Sequence, residues 1–228
     1  MNKVYKCGEV YATTCDYEKD ADGFARAYEW VTTWAKQFGP ALPHPFIYAD
    51  PPWNAGVLSM FRKMVGEPPR MKFDAFLSRI VDVLYSVPAD VVFCEMGRQA
   101  KVDFTSRMEA AGSLRLVKGY EVSYGRGKAN KPSWLGMFSP SRESDGTPEI
   151  AQGLIDEAIP LICIDWYMST LRLPFVIDPF CGLGVTLDAA AKRGVPALGV
   201  DLVPARVEKA MHHVSKILRR PIEAIGEV

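Results

Sequence analysis

Phe175-Val176-Ile177-Asp178-Pro179-Phe180-Cys181-Gly182-Leu183-Gly184-Val185-Thr186 decides the fold. A continuous apolar run of strand length ends in an acid, a loop with two glycines follows, and a helical pattern opens behind it. An apolar run without alternation suits a strand covered on both faces, as in a parallel sheet. In doubly wound sheets such a turn lets the backbone approach a ligand closely at the carboxyl ends of the strands. A second run, Ala197 to Val200, then ends in Asp201. A carboxylate at the end of the adjacent strand is placed to take both hydroxyls of a ribose. A nicotinamide cofactor would want a third glycine and more strands, whereas one helix from about Pro204 completes this chain, which disfavours a dehydrogenase.

Outward from this stretch, apolar runs and helical periods alternate, the pattern of an α/β sheet. Residues 1–21 read as a loose or partly stranded lead-in. From Asp22, residues Phe24, Tyr28, Val31 and Ala35 mark a helix that Gly39-Pro40 ends. Phe46 to Ala49 is a strand, and residues 54–72 read as a mobile loop carrying Arg62, Lys63, Arg70 and Lys72. A helix over about 74–86 leads to the apolar run Val91 to Glu95, with a further helix over about 98–111. Strands near 114–124 and 134–138 flank the turn Gly125 to Pro132. Thr147-Pro148-Glu149 has the form of a helix start, and Pro160 kinks or restarts that helix.

Asp50-Pro51-Pro52-Trp53 closes the strand at Ala49. Consecutive prolines fix the backbone and remove two amide donors. A carboxylate, main-chain carbonyls and a flat ring remain exposed. These are two acceptors and a stacking surface, suited to an exocyclic amine on a planar base.

Together and in this order, the two motifs resemble the beta-class DNA amino-methyltransferases, which methylate N6 of adenine or N4 of cytosine. That family has a D-P-P-[YFW] motif first, a target-recognition region between, and a D-P-F-x-G-x-G-T motif near the C-terminus. The resemblance covers about 46–96 and about 158–210. It implies an α/β fold, a Rossmann-like class I methyltransferase sheet in circularly permuted order. The chain is expected to be a single domain over 1–228, with a small basic target-recognition insertion at about 97–148. S-adenosylmethionine is the implied cofactor, held by Asp178, Pro179, Phe180, Cys181, Gly182, Gly184, Thr186 and Asp201. Asp50, Pro51, Pro52 and Trp53 are the implied catalytic residues, and Glu95 falls at a pocket position. Upstream, where the family usually starts a helix with Lys-Pro, this chain has Ile159-Pro160. The wording Ile47 to Trp53 also looks like the adenosine methyltransferases acting on messenger RNA, but those lack the glycine loop. An acid in the first place of the catalytic motif is commoner for adenine in this family, so adenine N6 is the expected target. N4 of cytosine, an RNA or nucleotide amine, and a non-catalytic nucleic-acid-binding subunit are the alternatives.

Composition bounds these expectations. At 228 residues, with 48% hydrophobic and 24% charged side chains, the chain is globular in type. No signal peptide is read at the N-terminus, and the greasiest stretch, Ile159 to Phe180, is broken by Asp165, Arg172 and Asp178, so no membrane span is expected. Five cysteines form no C-x-x-C pair and there are three histidines, so no metal site and no disulfide framework are read, and a cytoplasmic setting is expected. With 27 basic and 27 acidic side chains, bulk charge does not drive binding to nucleic acid. The charge is segregated, however. From Arg98 to Arg142 nine bases stand against three acids, and Arg126, Lys128 and Lys131 crowd one turn that can grip phosphates. Double-stranded DNA with its target base flipped out is the expected partner. So small a recognition region points to short specificity, a homodimer or a partner subunit.

Overall fold

The apolar runs find the two-sided cover they need. This computed structural model describes residues 2–38, 44–124, 131–140, 146–155, 158–170, 172 and 174–228. The N-terminal half comprises β1 (Lys3–Cys7), β2 (Val10–Thr14), α1 (Gly23–Phe38), β3 (His44–Ala49), α2 (Ala55–Met64), α3 (Phe73–Tyr85) and β4 (Val91–Gly97). After it come α4 (Lys101–Ala111), β5 (Arg115–Tyr124), β6 (Lys131–Ser139), α5 (Ile159–Ser169) and β7 (Pro174–Asp178). The chain closes with α6 (Val185–Arg193), β8 (Ala197–Asp201), α7 (Pro204–Leu218) and β9 (Glu223–Glu227).

Among the described residues nine strands form one sheet, ordered β5-β6-β4-β3-β7-β8-β2-β1-β9. The five central strands, β4-β3-β7-β8-β2, are parallel, and antiparallel strands flank them on both sides. Successive residues of a strand point to opposite faces, and the core divides accordingly. Ile47, Phe175 and Ile177 join Phe24, Ile80 and Phe104 on one face. Phe46 and Val176 join Tyr167, Leu187 and Met211 on the other. The strand carrying Asp50 precedes the strand carrying the glycine loop, which is the circularly permuted order of the Rossmann-like methyltransferase sheet.

Three segments differ from the sequence expectation. Residues 1–21 are not a loose lead-in: β2 pairs in parallel with β8, Thr14 beside Asp201, and β1 returns antiparallel to it. Val10, Tyr11, Ala12 and Thr13 are all buried, so a strand with a hydroxyl and a phenol in it shows neither alternation nor a Val/Ile run. Residues 54–72 are not a mobile loop. Asn54 caps α2, its side chain accepting the Val57 amide at 3.0 Å, and Arg62 is fully buried. The strands expected within the region around 97–148 join the sheet, since β6 runs antiparallel to β4 with Leu135 opposite Glu95. Thr147-Pro148-Glu149 starts no helix: the Pro148 carbonyl accepts the Tyr120 hydroxyl at 3.0 Å, and the helix opens at Ile159 with Pro160 in its first turn. Gly39-Pro40 and the tip of the basic turn, including Arg126 and Lys128, lie outside the described residues. None of the described helices is long and apolar enough to cross a membrane.

The glycine loop is fixed by its backbone. Gly182 and Gly184 have φ of +54° and +89°, a region that L side chains rarely adopt. A Cβ on Gly184 would also stand 2.7 Å from the Ala210 Cβ, where α7 crosses the loop. Gly184→Ala is therefore expected to destabilise the protein by roughly 1–3 kcal/mol or more in denaturant titration, the scale of a strained backbone residue. Unchanged stability would show that the loop does not need this conformation.

Candidate active site

The carboxyl ends of the parallel strands open into one cavity of about 570 Å³. It gathers Asp50 from β3, Glu95 from β4, Asp178 from β7, Asp201 from β8, and Asp16 and Glu18 from the loop after β2. Pro51, Pro52, Trp53, Phe180, Cys181, Gly182 and Thr186 line it too, so most of the residues singled out in the sequence meet here. Pro179 does not line the cavity; its carbonyl accepts the buried Tyr17 hydroxyl at 2.8 Å. Gly184 lies behind the loop against Ala210. Lys131, exposed at the start of β6, lines the cavity.

Asp178 organises the glycine loop from below. Its carboxylate accepts the Phe180 amide at 2.9 Å and the hydroxyl of Thr186 in the first turn of α6. Thr186 is itself buried, which explains why the hydroxyl stands at this place. Asp201 accepts two backbone amides, from Gly182 at 2.9 Å and Val203 at 2.8 Å. Asp201 thus ties the glycine loop to the end of β8. Burial disfavours the charged form of both acids. It pushes the Asp178 carboxyl up to about 7 and raises that of Asp201, the latter opposed by the Arg206 guanidinium and by the two amides.

At the other end of the cavity, the Trp53 indole N–H donates to Asp50 Oδ1 at 2.8 Å. The ring also packs on Gly97, where a Cβ would stand 3.4 Å from that of Trp53. Sequence alone suggested a free stacking surface. Instead the tryptophan also holds the carboxylate in place. Glu95, 1% exposed, accepts the Ser133 hydroxyl at 2.7 Å and the Tyr48 hydroxyl at 3.3 Å.

Asp16, Tyr17 and Arg62 were invisible as site residues in the sequence. The Arg62 guanidinium is fully buried against Asp16 at 2.8 Å, Glu18 at 3.0 Å and Glu67 at 2.7 Å. Only a basic residue on the buried face of a helix would have signalled it, and the helix itself was missed. Arg206, from the first turn of α7, lies over the Phe61 ring of α2 at 4.5 Å and against Gly182.

The basic segment is less free than its composition suggests. Arg98 and Lys101 share Glu121, and Arg107 bridges Asp103 and Asp74. Among the described residues no group of His, Cys, Asp and Glu side chains is arranged to hold a metal ion.

The fold, a permuted methyltransferase sheet, is shared with solved structures described as DNA modification methylases. A Thermus thermophilus protein described as a putative DNA modification methylase superimposes with a TM-score of 0.56 at 16% identity, over 82% of this chain and 93% of that one. The same protein complexed with S-adenosyl-L-methionine gives 0.55 at 16% identity, over 82% and 91%. The PvuII DNA methyltransferase, specific for cytosine N4, gives 0.54 at 11% identity, over 95% and 96%. At these identities the likeness is one of fold. No protein-family model matches the sequence. No curated protein matches it either.

Asp178 carries a pH signature. Its carboxyl titrates higher in the native protein than in the unfolded chain, so the native state holds a proton that the unfolded chain has lost between roughly pH 4 and 7. Stability from this group is fully present below that window and is lost as pH rises through it. Asp178→Asn keeps an acceptor for Phe180 and Thr186 without the charge. It is expected to raise the melting temperature of the ligand-free protein at about pH 8 and to change it little at about pH 5. Equal shifts at both pH values would overturn this assignment of the buried charge.

Proposed function

We propose that the protein transfers a methyl group from S-adenosylmethionine to an exocyclic amine of a base in DNA, with adenine N6 as the target. One observation carries this reading: Asp50 and the glycine loop with Asp201 open into the same cavity. The residues fit the cofactor. A Cβ on Gly182 would collide with Arg206, so the bare glycine is what lets the guanidinium lie against the loop at the cavity wall. The excess of carboxylates lining the cavity suits a ligand with a positive sulfonium. When bound, the cofactor would supply an electrophilic methyl group.

The chain's own residues would bind and orient. Asp201 takes the ribose hydroxyls, Asp178 faces the methionine end, and Phe180 and Cys181 wall the site. Ile159 leaves the methionine carboxylate without the lysine of the family pattern, so the backbone of the first turn of α5, beside Pro160 at the cavity wall, is the group left to meet it. At the acceptor end, Asp50 and the Pro51 carbonyl each take one N–H of the amine. An amine conjugated into a ring is a poor nucleophile because its lone pair is delocalised. Two acceptors draw the nitrogen toward tetrahedral geometry and stabilise the positive charge that develops on it. Trp53 fixes Asp50 by its indole N–H, and its ring face meets the base. Pro52 leaves no amide donor there to compete. Lys131, with Arg126 and Lys128, meets phosphates, and the target nucleotide must leave the duplex at a cost of a few kcal/mol.

N4 of cytosine is the second reading, favoured by the fold shared with a cytosine-N4-specific enzyme. The two amines need the same acceptors, so mass analysis of nucleosides from DNA incubated with the protein and labelled cofactor decides between them. No label in any base would refute the function.

Two variants test the roles. Asp50→Asn keeps the shape and one oxygen but loses the charge, and presents an NH₂ to the Trp53 indole or to the amine. Single-turnover transfer at saturating cofactor and DNA is expected to fall about a hundredfold or more, with cofactor binding intact. A wild-type rate would remove Asp50 from the mechanism. Asp201→Ala is expected to weaken cofactor binding by about 1.5–3 kcal/mol in calorimetry, the worth of hydrogen bonds to a charged group. Unchanged affinity would sink the ribose assignment.

A further inference from the structure

Asp50 is not the only carboxylate at the acceptor end. The parallel register pairs Ala49 with Cys94, so Asp50 and Glu95 are the next residues on neighbouring strands, and both line the cavity. Two strands converge on Glu95 to hold its oxygens. Ser133 of β6 donates to Oε1 at 2.7 Å, and Tyr48 of β3 donates to Oε2 at 3.3 Å. Hydroxyl donors on both oxygens are an environment for an ionised carboxylate.

We propose that Glu95 is a second reaction-centre carboxylate that shares with the Pro51 carbonyl one of the target amine's two N–H groups and takes the proton the nitrogen sheds on methylation. The inference rests on the methyl-transfer reading above. The amine lone pair forms the N–C bond while the C–S bond breaks and its pair stays on sulfur. The nitrogen then carries a positive charge and one proton too many. One N–H bond breaks, its pair returns to nitrogen, and the proton passes to a Glu95 oxygen, which becomes a neutral acid. A ring-conjugated amine that has become cationic is a strong acid, so a neighbouring carboxylate accepts its proton. What matters is position, and the strand register supplies it. The Trp53 indole holds Asp50 through Oδ1, which suits Asp50 to orienting the amine, and Glu95 is the neighbouring carboxylate placed to take the proton.

Glu95→Gln is the test, because it keeps size and an acceptor oxygen. With its melting temperature and cofactor affinity at wild-type values, single-turnover transfer is expected to fall about a hundredfold, within the range for loss of a general base. A second readout needs no cofactor. Affinities for oligo(dA) and oligo(dC), whose bases carry exocyclic amines, are compared with that for oligo(dT), whose bases carry none. The wild-type preference for an amine-bearing strand is expected to shrink by about tenfold in the variant, the worth of one hydrogen bond to a charged group. Should Glu95→Gln not fold, Glu95→Asp keeps the charge and withdraws it by one methylene, and the same two losses are expected of it. A folded Gln or Asp variant with wild-type transfer and an unchanged preference overturns the inference. Wild-type protein that binds no cofactor and labels no base overturns the methyltransferase reading itself, so the two failures are distinct.

Discussion

The structure depends on negative charge being concentrated where parallel strands end. Five parallel strands must deliver their carboxyl ends to one edge of the sheet, and four of them, β3, β4, β7 and β8, deliver an acid there. Like charges in a buried site disfavour one another, and burial disfavours each alone. The fold answers with donors. Asp178 takes an amide and a hydroxyl, Asp201 two amides, Glu95 two hydroxyls, and Asp50 an indole N–H. Every donor but the indole and the Thr186 hydroxyl of α6 is itself locked in the sheet or in a turn at its end. The acids are thereby preorganised, and the energy that would relax them is available to a cationic ligand.

That requirement accounts for local details of the glycine loop. Gly182 must donate its amide to Asp201 while its backbone turns through positive φ, and Gly184 must pass under Ala210 before α6 begins. Tyr17 completes the arrangement from the other side of β8. Its hydroxyl holds the Pro179 carbonyl, and its ring meets Phe180 edge-on at 5.4 Å. The N-terminal strand pair therefore supports the cavity wall on the side of the glycine loop. Without β2 the loop would lose a supporting side chain.

Much of this was legible in the sequence, and what was missed has physical reasons. The apolar run ending at Asp178, the glycines and the acid at Asp201 carry their structure locally, because a buried strand and a positive-φ turn restrict residue type strongly. The order of Asp50 and the glycine loop gave the permuted sheet. β2 was hidden because its Tyr11 and Thr13 are buried with partners: Thr13 donates to the Lys3 carbonyl at 2.9 Å and Tyr11 reaches Glu9 at 3.1 Å. α2 was hidden because its signals, two glycine-flanked turns and four bases between 62 and 72, read as solvated chain. Its buried Arg62 pairs with Asp16 and Glu18, far away in sequence, and no local pattern announces such a partner. The ring of Trp53 was legible as a flat surface, but its grip on Asp50 was not.

The missed helix is also what joins the two ends of the site. α2 begins one residue after Trp53, with Asn54 as its cap. Leu58, one turn in, is buried in the core against the sheet. Phe61 lies under Arg206, which in turn covers Gly182. Arg62 reaches Asp16 and Glu18 beyond the end of β2. Residues 58, 61 and 62 fall on one face of a helix, so a single rigid rod contacts the acceptor loop, the glycine loop and the β2 loop. Removing Arg62 would take the buried cation from Glu18, while Asp16 and Glu67 would keep Lys19, and a lost partner in such a buried cluster costs about 3–5 kcal/mol. That cost is high enough to keep the rod in one position. On the proposed reaction, donor and acceptor must meet within a few tenths of an ångström of one geometry. A helix pinned at both ends meets that demand where a mobile loop could not.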